Sequence, residues 1–414
     1  MTDYAVAIAE AADGDEPNKW RLETPGTKGW ARTARPGDPD KYLMISVDGH
    51  MNEDRDYLQG RLEKKFMDRM PRVIVDEKGQ RWAENEGGRR IKVRPNIMQG
   101  VDKLRAYAPP EPEERLAASA ADGVDGEVIF PNRGLAMWYT TDVPFSLAQC
   151  HAYNDYALDV YHPFFDRLNV LGTLVPADIE ATLKDIDDLA KRGFRGFTLP
   201  VKPHYGPHLE GQANYNWPEY DKMWAAIEET GLPIAFHIST GADPRNATGN
   251  GGAIINYLAH ALGPSVEPVA TLCGSGVLER FPGLKFGIIE SGIGWLAWAL
   301  DAMDEAYRKH HMFVRPKMQG LPSDYFKANG FVSFQEDRVG ISTALEYGLI
   351  DNIMWANDYP HHEGSWPHSA QAIERTMGNL TEEQREKVLG LNAARLFGFD
   401  ELVKQKQEGR DGGA

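Results

Sequence analysis

Cysteine is nearly absent from this 414-residue chain, which has only Cys150 and Cys273. A disulfide-stapled scaffold and a four-cysteine zinc site are thereby excluded, and two cysteines among apolar neighbours read as small core residues. Positive charge is also short: 45 Lys and Arg stand against 61 Asp and Glu, a formal net charge of −16. A general nucleic-acid binder needs the opposite balance, because neutralising phosphates takes a basic surplus. No apolar run reaches the roughly 18–20 residues of a membrane span. The opening MTDYAVAIAEAADGDEP has neither the basic start nor the apolar middle of a secretory leader. No G-x-G-x-x-G follows a strand candidate, so the dinucleotide-binding fingerprint is missing. The expectation is a soluble, cytoplasmic protein that engages a small molecule, with no nucleic-acid or membrane partner.

The chain has 42% hydrophobic and 26% charged residues, enough for a sizeable core and too balanced for wholesale disorder. Eight short apolar runs alternate with helix-like stretches: 42–48, 126–131, 168–176, 194–200, 232–238, 284–290, 330–335 and 352–358. Nearly continuous apolarity is what strands buried on both faces require. Several intervening stretches start on an acidic, Ser or Pro residue and stop at Gly, the expected capping asymmetry. Eight such units favour an α/β fold of the (β/α)8 barrel type over a doubly wound sheet. Residues 1–40, rich in Gly, Pro and charge, read as an irregular N-terminal arm, and 41–400 as the barrel. Residues 54–110 exceed ordinary loop length and read as a cap insertion after the first strand, with a small hairpin in RVIVDEKGQRW. The tail 401–414 is expected to be flexible. Trp20 and Trp30 in the arm suggest docking on a second subunit and hence a homo-oligomer.

In such a barrel the chemistry sits at the C-terminal strand ends. Strand one ends in V-D-G-H-M-N-E, giving Asp48, His50 and Glu53; strand two offers Asn132 and Arg133; strand four, Lys202 and His204. Strand five delivers His237, strand six Glu290, strand seven Gln335 and Glu336, and strand eight Asp358 followed by His361 and His362. Alternate residues of a strand share a face, so Asp48 and His50 can grip one ion. His237 and Asp358 can complete the shell. Such a mixture of nitrogen and oxygen donors suits zinc, manganese or iron better than calcium.

With those residues in place the chain resembles the amidohydrolase-related family, which includes aminocarboxymuconate-semialdehyde, resorcylate and carboxyvanillate decarboxylases. The resemblance runs from about Tyr42 to Phe399. It rests on SVDGHMNE, LPIAFH, FPGLKFGIIESGIGWLAW, IMWANDYPHHEGSWPHS and NAARLFG. It implies a distorted (β/α)8 barrel and a divalent metal, with Asp48 and His50 as the strand-one ligand pair, His237 as the strand-five ligand and Asp358 as the strand-eight ligand. Two departures stand out. Asp48 replaces the usual first His or Glu of the pair, and Glu290 occupies the position of an acid/base His in the decarboxylases. A carboxylate serves in that role near neutral pH only if burial raises its pKa, although it can bind or bridge a metal.

The leading expectation is a metal-dependent hydrolase of a small or medium, cyclic or aromatic substrate, acting through an ion-activated water. Asp48, His50, His237 and Asp358, with Glu290, form the ligand set for zinc, manganese or iron. Asp358, Glu290 and His204 are the expected catalytic groups. Arg133, Lys202, Asn132 and His361 are the expected substrate-binding groups. The alternatives are non-oxidative decarboxylation of an aromatic or unsaturated acid, and a two-iron oxygenase in which Glu53, Glu290 and Asp358 hold two ions.

Overall fold

The computed structural model describes all residues except 55, 71, 85–89, 93–97, 207–208, 241–246, 248, 311, 313–315 and 412–414. Its first strand, β1, is Ile45–His50. An antiparallel three-stranded sheet follows in order β2 (Arg72–Val75), β3 (Arg81–Glu84) and β4 (Arg90–Lys92). Then come β5 (Gly126–Phe130), β6 (Leu168–Val170), β7 (Gly172–Thr173), β8 (Phe197–Leu199) and β9 (Ile234–His237). The last three are β10 (Phe286–Ile289), β11 (Gly330–Phe334) and β12 (Ile353–Trp355). The hairpin expected in the insertion is thus present, with a third strand added to it.

Pairing outside the insertion is parallel throughout, in two arcs: β1-β5-β6 and β7-β8-β9-β10-β11-β12. β6 and β7 are one run broken at Leu171, whose amide turns to Ile129 O (3.1 Å) while Gly172 N bonds Gly196 O (3.0 Å). The other seam, between β12 and β1, closes through Asp358 N to Asp48 O (2.9 Å) and His50 N to Tyr359 O (2.7 Å). Counting β6 and β7 together, eight parallel strands close into the expected distorted barrel.

The strands are buried on both faces, as their apolarity requires. One apolar cluster lies inside the barrel, built from Val128, Phe130, Ala235, Ile289, Met354 and their neighbours. Its floor is plugged by Phe397 and Phe399 from the C-terminal segment. The larger cluster packs the strands against the surrounding helices. The helix Ile179–Lys191 shows how: Asp178 caps it by accepting from Ala181 N, and Thr182, Ile186 and Leu189 face inward at helical spacing.

Both termini carry helices among the described residues. The arm carries a helix, Tyr4–Ala12, capped by Asp3, and a 3-10 helix, Glu16–Leu22, so it is not irregular throughout. The tail forms a helix over Asp400–Asp411, held at its start by Leu402 in the inner cluster. The arm also engages its own chain. Arg385 lies 3.9 Å over the Trp30 ring, Arg35 pairs with Glu374, and Arg375 lies 5.5 Å over Trp20. Among the described residues no helix is long and apolar enough to cross a membrane.

Candidate metal centre

Asp48 and His50 end β1, His237 ends β9, Glu290 follows β10 and Asp358 follows β12, and all five project into the barrel mouth. A register shift between Ser46 and Gly49 interrupts regular pairing just before the Asp-Gly-His segment. Ile289 belongs to the inner cluster, so strict alternation would send Glu290 outward. Glu290 instead adopts φ +65°, and its amide is held by Ser333 Oγ at 2.9 Å. Asp358 is likewise left-handed, at φ +54°. Non-glycine residues in this region cost energy and cluster at functional sites.

Donor atoms of Asp48, His50, His237 and Glu290 all lie within 4.8 Å of one another, as do those of His50, Glu290, Asp358 and His361. His237 Nε2 is 3.1 Å from Glu290 Oε2 and 3.3 Å from Asp48 Oδ1. His50 Nε2 is 3.4 Å from Asp358 Oδ1, 3.6 Å from Asp48 Oδ1 and 3.7 Å from Glu290 Oε2. Donors about 2.1 Å from a shared ion stand about 3.0–3.5 Å apart; three of these spacings fall in that range, and the two from His50 to Asp48 and Glu290 are 0.1–0.2 Å wider.

The hydrogen bonds behind the donors point the same way. His50 Nδ1 meets Pro131 O and His237 Nδ1 meets Ile238 O, both at 2.9 Å. A carbonyl only accepts, so Nδ1 of each ring carries a proton and Nε2 is the nitrogen turned toward the carboxylate oxygens. Burial, then the neighbouring rings of His361 and His237, lowers the His50 pKa and keeps it neutral. His50 Nε2, both Asp358 carboxylate oxygens and His361 Nδ1 are buried without a hydrogen-bond partner. Lone pairs packed against carboxylates leave a place for a cation. Burial, followed by the charges of Asp358 and Asp48, pushes the Glu290 carboxyl up; burial and Asp48 do the same to Asp358. A divalent ion relieves both repulsions.

His361 joins this group more closely than its sequence role as a substrate contact implied. Its ring stacks on His50 at 3.9 Å, with Nδ1 3.0 Å from Asp358 Oδ1 and Nε2 3.5 Å from Asn132 Oδ1. Its position three residues after Asp358 was the available signal. Asn132, Arg133 and His361 line a cleft of about 320 Å³ with Asn52, Asp102 and Arg105.

Lys202 and His204 are placed elsewhere. They line a separate pocket with Trp138, Tyr205 and Thr240, to which none of the five donors contributes, and Lys202 pairs with Glu267 at 3.3 Å. Glu53 is withdrawn from any two-ion arrangement. Its carboxylate accepts the amides of Asn132 (2.8 Å), Arg133 (2.9 Å) and Gly134 (3.3 Å), capping the 3-10 helix Arg133–Trp138. Gln335 reaches Asp48 Oδ2 at 3.4 Å, whereas Glu336 is taken by Arg375 at 2.9 Å. One structural pair had no sequence signal: buried Arg115 binds Glu127 at 2.5 Å and also reaches the carbonyl oxygens of His50 and Tyr359.

A (β/α)8 barrel with buried carboxylates and imidazoles converging at its strand C-termini defines a metal-binding barrel enzyme. Residues 47–399 match the family model described as amidohydrolase, and the chain belongs to that family. Among solved structures it is similar to an amidohydrolase from Mycobacterium avium subsp. paratuberculosis K-10, at 19% identity and TM-score 0.69, covering 86% of this chain and 99% of that one. It is also similar to 5-carboxyvanillate decarboxylase from Sphingomonas paucimobilis, at 19% identity and TM-score 0.59, covering 86% and 99%. A third is dihydroxybenzoic acid decarboxylase from Polaromonas sp. JS666 with bound manganese and the inhibitor 2-nitroresorcinol, at 17% identity and TM-score 0.60, covering 87% and 98%.

Proposed function

We propose that the protein is a metal-dependent, non-oxidative decarboxylase of an aromatic or unsaturated acid. This replaces hydrolysis, the leading sequence expectation, with its first alternative. The observation that carries the reading is the cleft beside the donor cluster. It presents Arg133, His361, Asn52 and Asn132, while its acid, Asp102, is engaged by Arg105 (2.7 Å) and Asn18 (3.0 Å), and its His362 is paired with Glu363 (2.8 Å). Such a lining suits an anionic substrate better than a neutral amide or lactone. The decarboxylases among the structural neighbours support the same choice.

Asp48, His50, His237 and Asp358 would hold the ion, with Glu290 beside them. When bound, a divalent ion supplies Lewis acidity towards a substrate oxygen. Arg133 and Asn132 orient the acid from the cleft side. The bond from ring or vinyl carbon to the carboxylate breaks, CO2 departs, and the electron pair left on carbon takes up a proton. Glu290, grouped with the donors, is the residue assigned to deliver that proton. Hydrolysis remains the second reading, since the same donor set can present a water beside Asp358.

The test is to offer manganese-loaded protein hydroxybenzoates, carboxyvanillate-type acids, lactones and amides, and to follow CO2 release and ring opening separately. Decarboxylation in D2O should leave one deuterium on the carbon that lost CO2. Turnover of lactones or amides with no CO2 from any acid would overturn the proposal in favour of hydrolysis.

A further inference from the structure

We infer that the N-terminal arm is a working part of the metal centre. Arg21, with Arg105 from the insertion, acts as a positioning residue for the loop that carries Asp358 and His361. The inference rests on the reading that those two residues belong to the metal site. It goes beyond the family match, because Arg21 lies ahead of residues 47–399.

A loop leaving a strand end has no ladder to satisfy its carbonyl oxygens, and buried carbonyls need donors. Here the donors are two guanidinium groups. Arg21 Nη1 donates to Gly364 O and Nη2 to His362 O, each at 2.7 Å. Arg105 donates to His362 O (3.2 Å) and Gly364 O (3.5 Å), and also reaches Trp366 O. Arg21 is 8% exposed and Arg105 is 3% exposed, so water does not substitute for them. The clamped carbonyls belong to the turn that sets His361 against Asp358, in which His361 N bonds Asp358 O at 2.8 Å and Gly364 N bonds His361 O at 3.3 Å. Ser365 N returns to Asn357 O at 3.0 Å, which ties the far end of the turn to the residue preceding Asp358.

The arm is held in place from its other side. Arg21 Nε donates to Asn18 Oδ1 (3.0 Å), and Asn18 Nδ2 donates to Asp15 (3.1 Å) and Asp102 (3.0 Å). Asp15 accepts the Val101 amide at 3.0 Å, at the start of the helix Gly100–Ala106 that bears Arg105. Gly100 sits at φ +58°, and any Cβ there would overlap the Asp15 carboxyl. Arm, insertion and loop therefore form one buried polar junction, with charges of Arg21 and Arg105 set beside those of Asp15 and Asp102. Arg375 closes it by donating to Arg21 O at 2.8 Å.

The test uses the full chain carrying Arg21→Met, which keeps the stem and removes the donors, and Arg21→Lys, which retains a charge and fewer donors. Amide hydrogen exchange at Gly364, Ser365 and His368 should accelerate at least ~10-fold in Arg21→Met, with β9 unchanged. The Mn2+ dissociation constant, read from the EPR signal of free Mn2+, should rise about 10-fold, a loss typical of supporting contacts. Arg21→Lys should fall between wild type and Arg21→Met in both readouts. Gly100→Ala should reproduce the effect by displacing Asp15, leaving every group at the loop untouched. Unchanged loop exchange in Arg21→Met would overturn the clamp. Faster exchange with unchanged Mn2+ affinity would overturn its role at the centre. Neither readout needs turnover, so failure of the decarboxylase reading and failure of this one are separable.

Discussion

Asp358 donates its amide to the carbonyl oxygen of Asp48 at 2.9 Å, so the bond that closes the barrel also sets two carboxylates of the metal centre side by side. Fold and site are coupled at this seam. Any loss of closure separates donors contributed by opposite ends of the chain.

Removing a donor should therefore be read first in metal content. Asp358→Asn and His50→Ala are each expected to lower manganese stoichiometry below half after dialysis, with activity falling ~10²-fold or more. Manganese at 100 times its dissociation constant should stabilise the wild type by about 2.7 kcal/mol, and the variants by much less. Metal analysis and thermal melts check both.

Glu290→Gln separates ligation from proton delivery. With Asp48, His50, His237 and Asp358 intact, most of the metal is expected to stay bound while turnover falls ~10²-fold or more. Loss of one of two bound ions would instead make Glu290 a bridging ligand.

Glu53→Ala should weaken substrate binding without emptying the centre. The three amides that Glu53 accepts, one buried and two part-buried, would lose their acceptor, at a cost of about 1–3 kcal/mol in stability. Asn132 and Arg133 would lose their register, so KM should rise more than kcat falls. Glu53→Gln, which keeps one acceptor oxygen, should recover part of both.

Asp122, which is not itself one of the donors, provides a pH test. Burial pushes its carboxyl up to about 7 from the ordinary 3.8, against the opposing hydrogen bonds from Ser369 and Asn357. Between those values the unfolded chain has lost this proton and the folded chain has kept it. Folded stability therefore declines as pH rises through that window, and levels off above it. Asp122→Asn should flatten the decline, as read from melting temperatures between about pH 4 and pH 7.

The strands were legible because burial on both faces leaves an unbroken apolar run, and their ends were legible because donors follow such runs directly. Asp48, His50, His237, Glu290 and Asp358 were found that way. Lys202 and His204, read by the same logic, line a pocket to which none of those five contributes. They also follow a strand, but Pro200 and Pro203 lie between its end and these side chains, and Lys202 pairs with Glu267, on a helix 65 residues further along the chain. Glu53 looked like a free acid because its amide partners begin 79 residues later in the chain. The arm helix had its signals in the Asp3 cap and an alanine-rich run, outweighed by the Gly and Pro that follow. Arg21 and Arg115 gave no warning, since each reaches main-chain carbonyls of distant segments that no side-chain pattern records.

Gly49, between Asp48 and His50, has its own consequence. A methyl group there would overlap the Arg115 guanidinium and lie 2.7 Å from Glu127 Oε2. The wall between the ion-holding cavity and the buried arginine–glutamate pair is thus a single backbone thick. Enlarging that residue presses on the buried pair, and the only relief is to push the strand that carries Asp48 and His50 the other way, so even alanine there should be poorly tolerated, however benign it looks on paper.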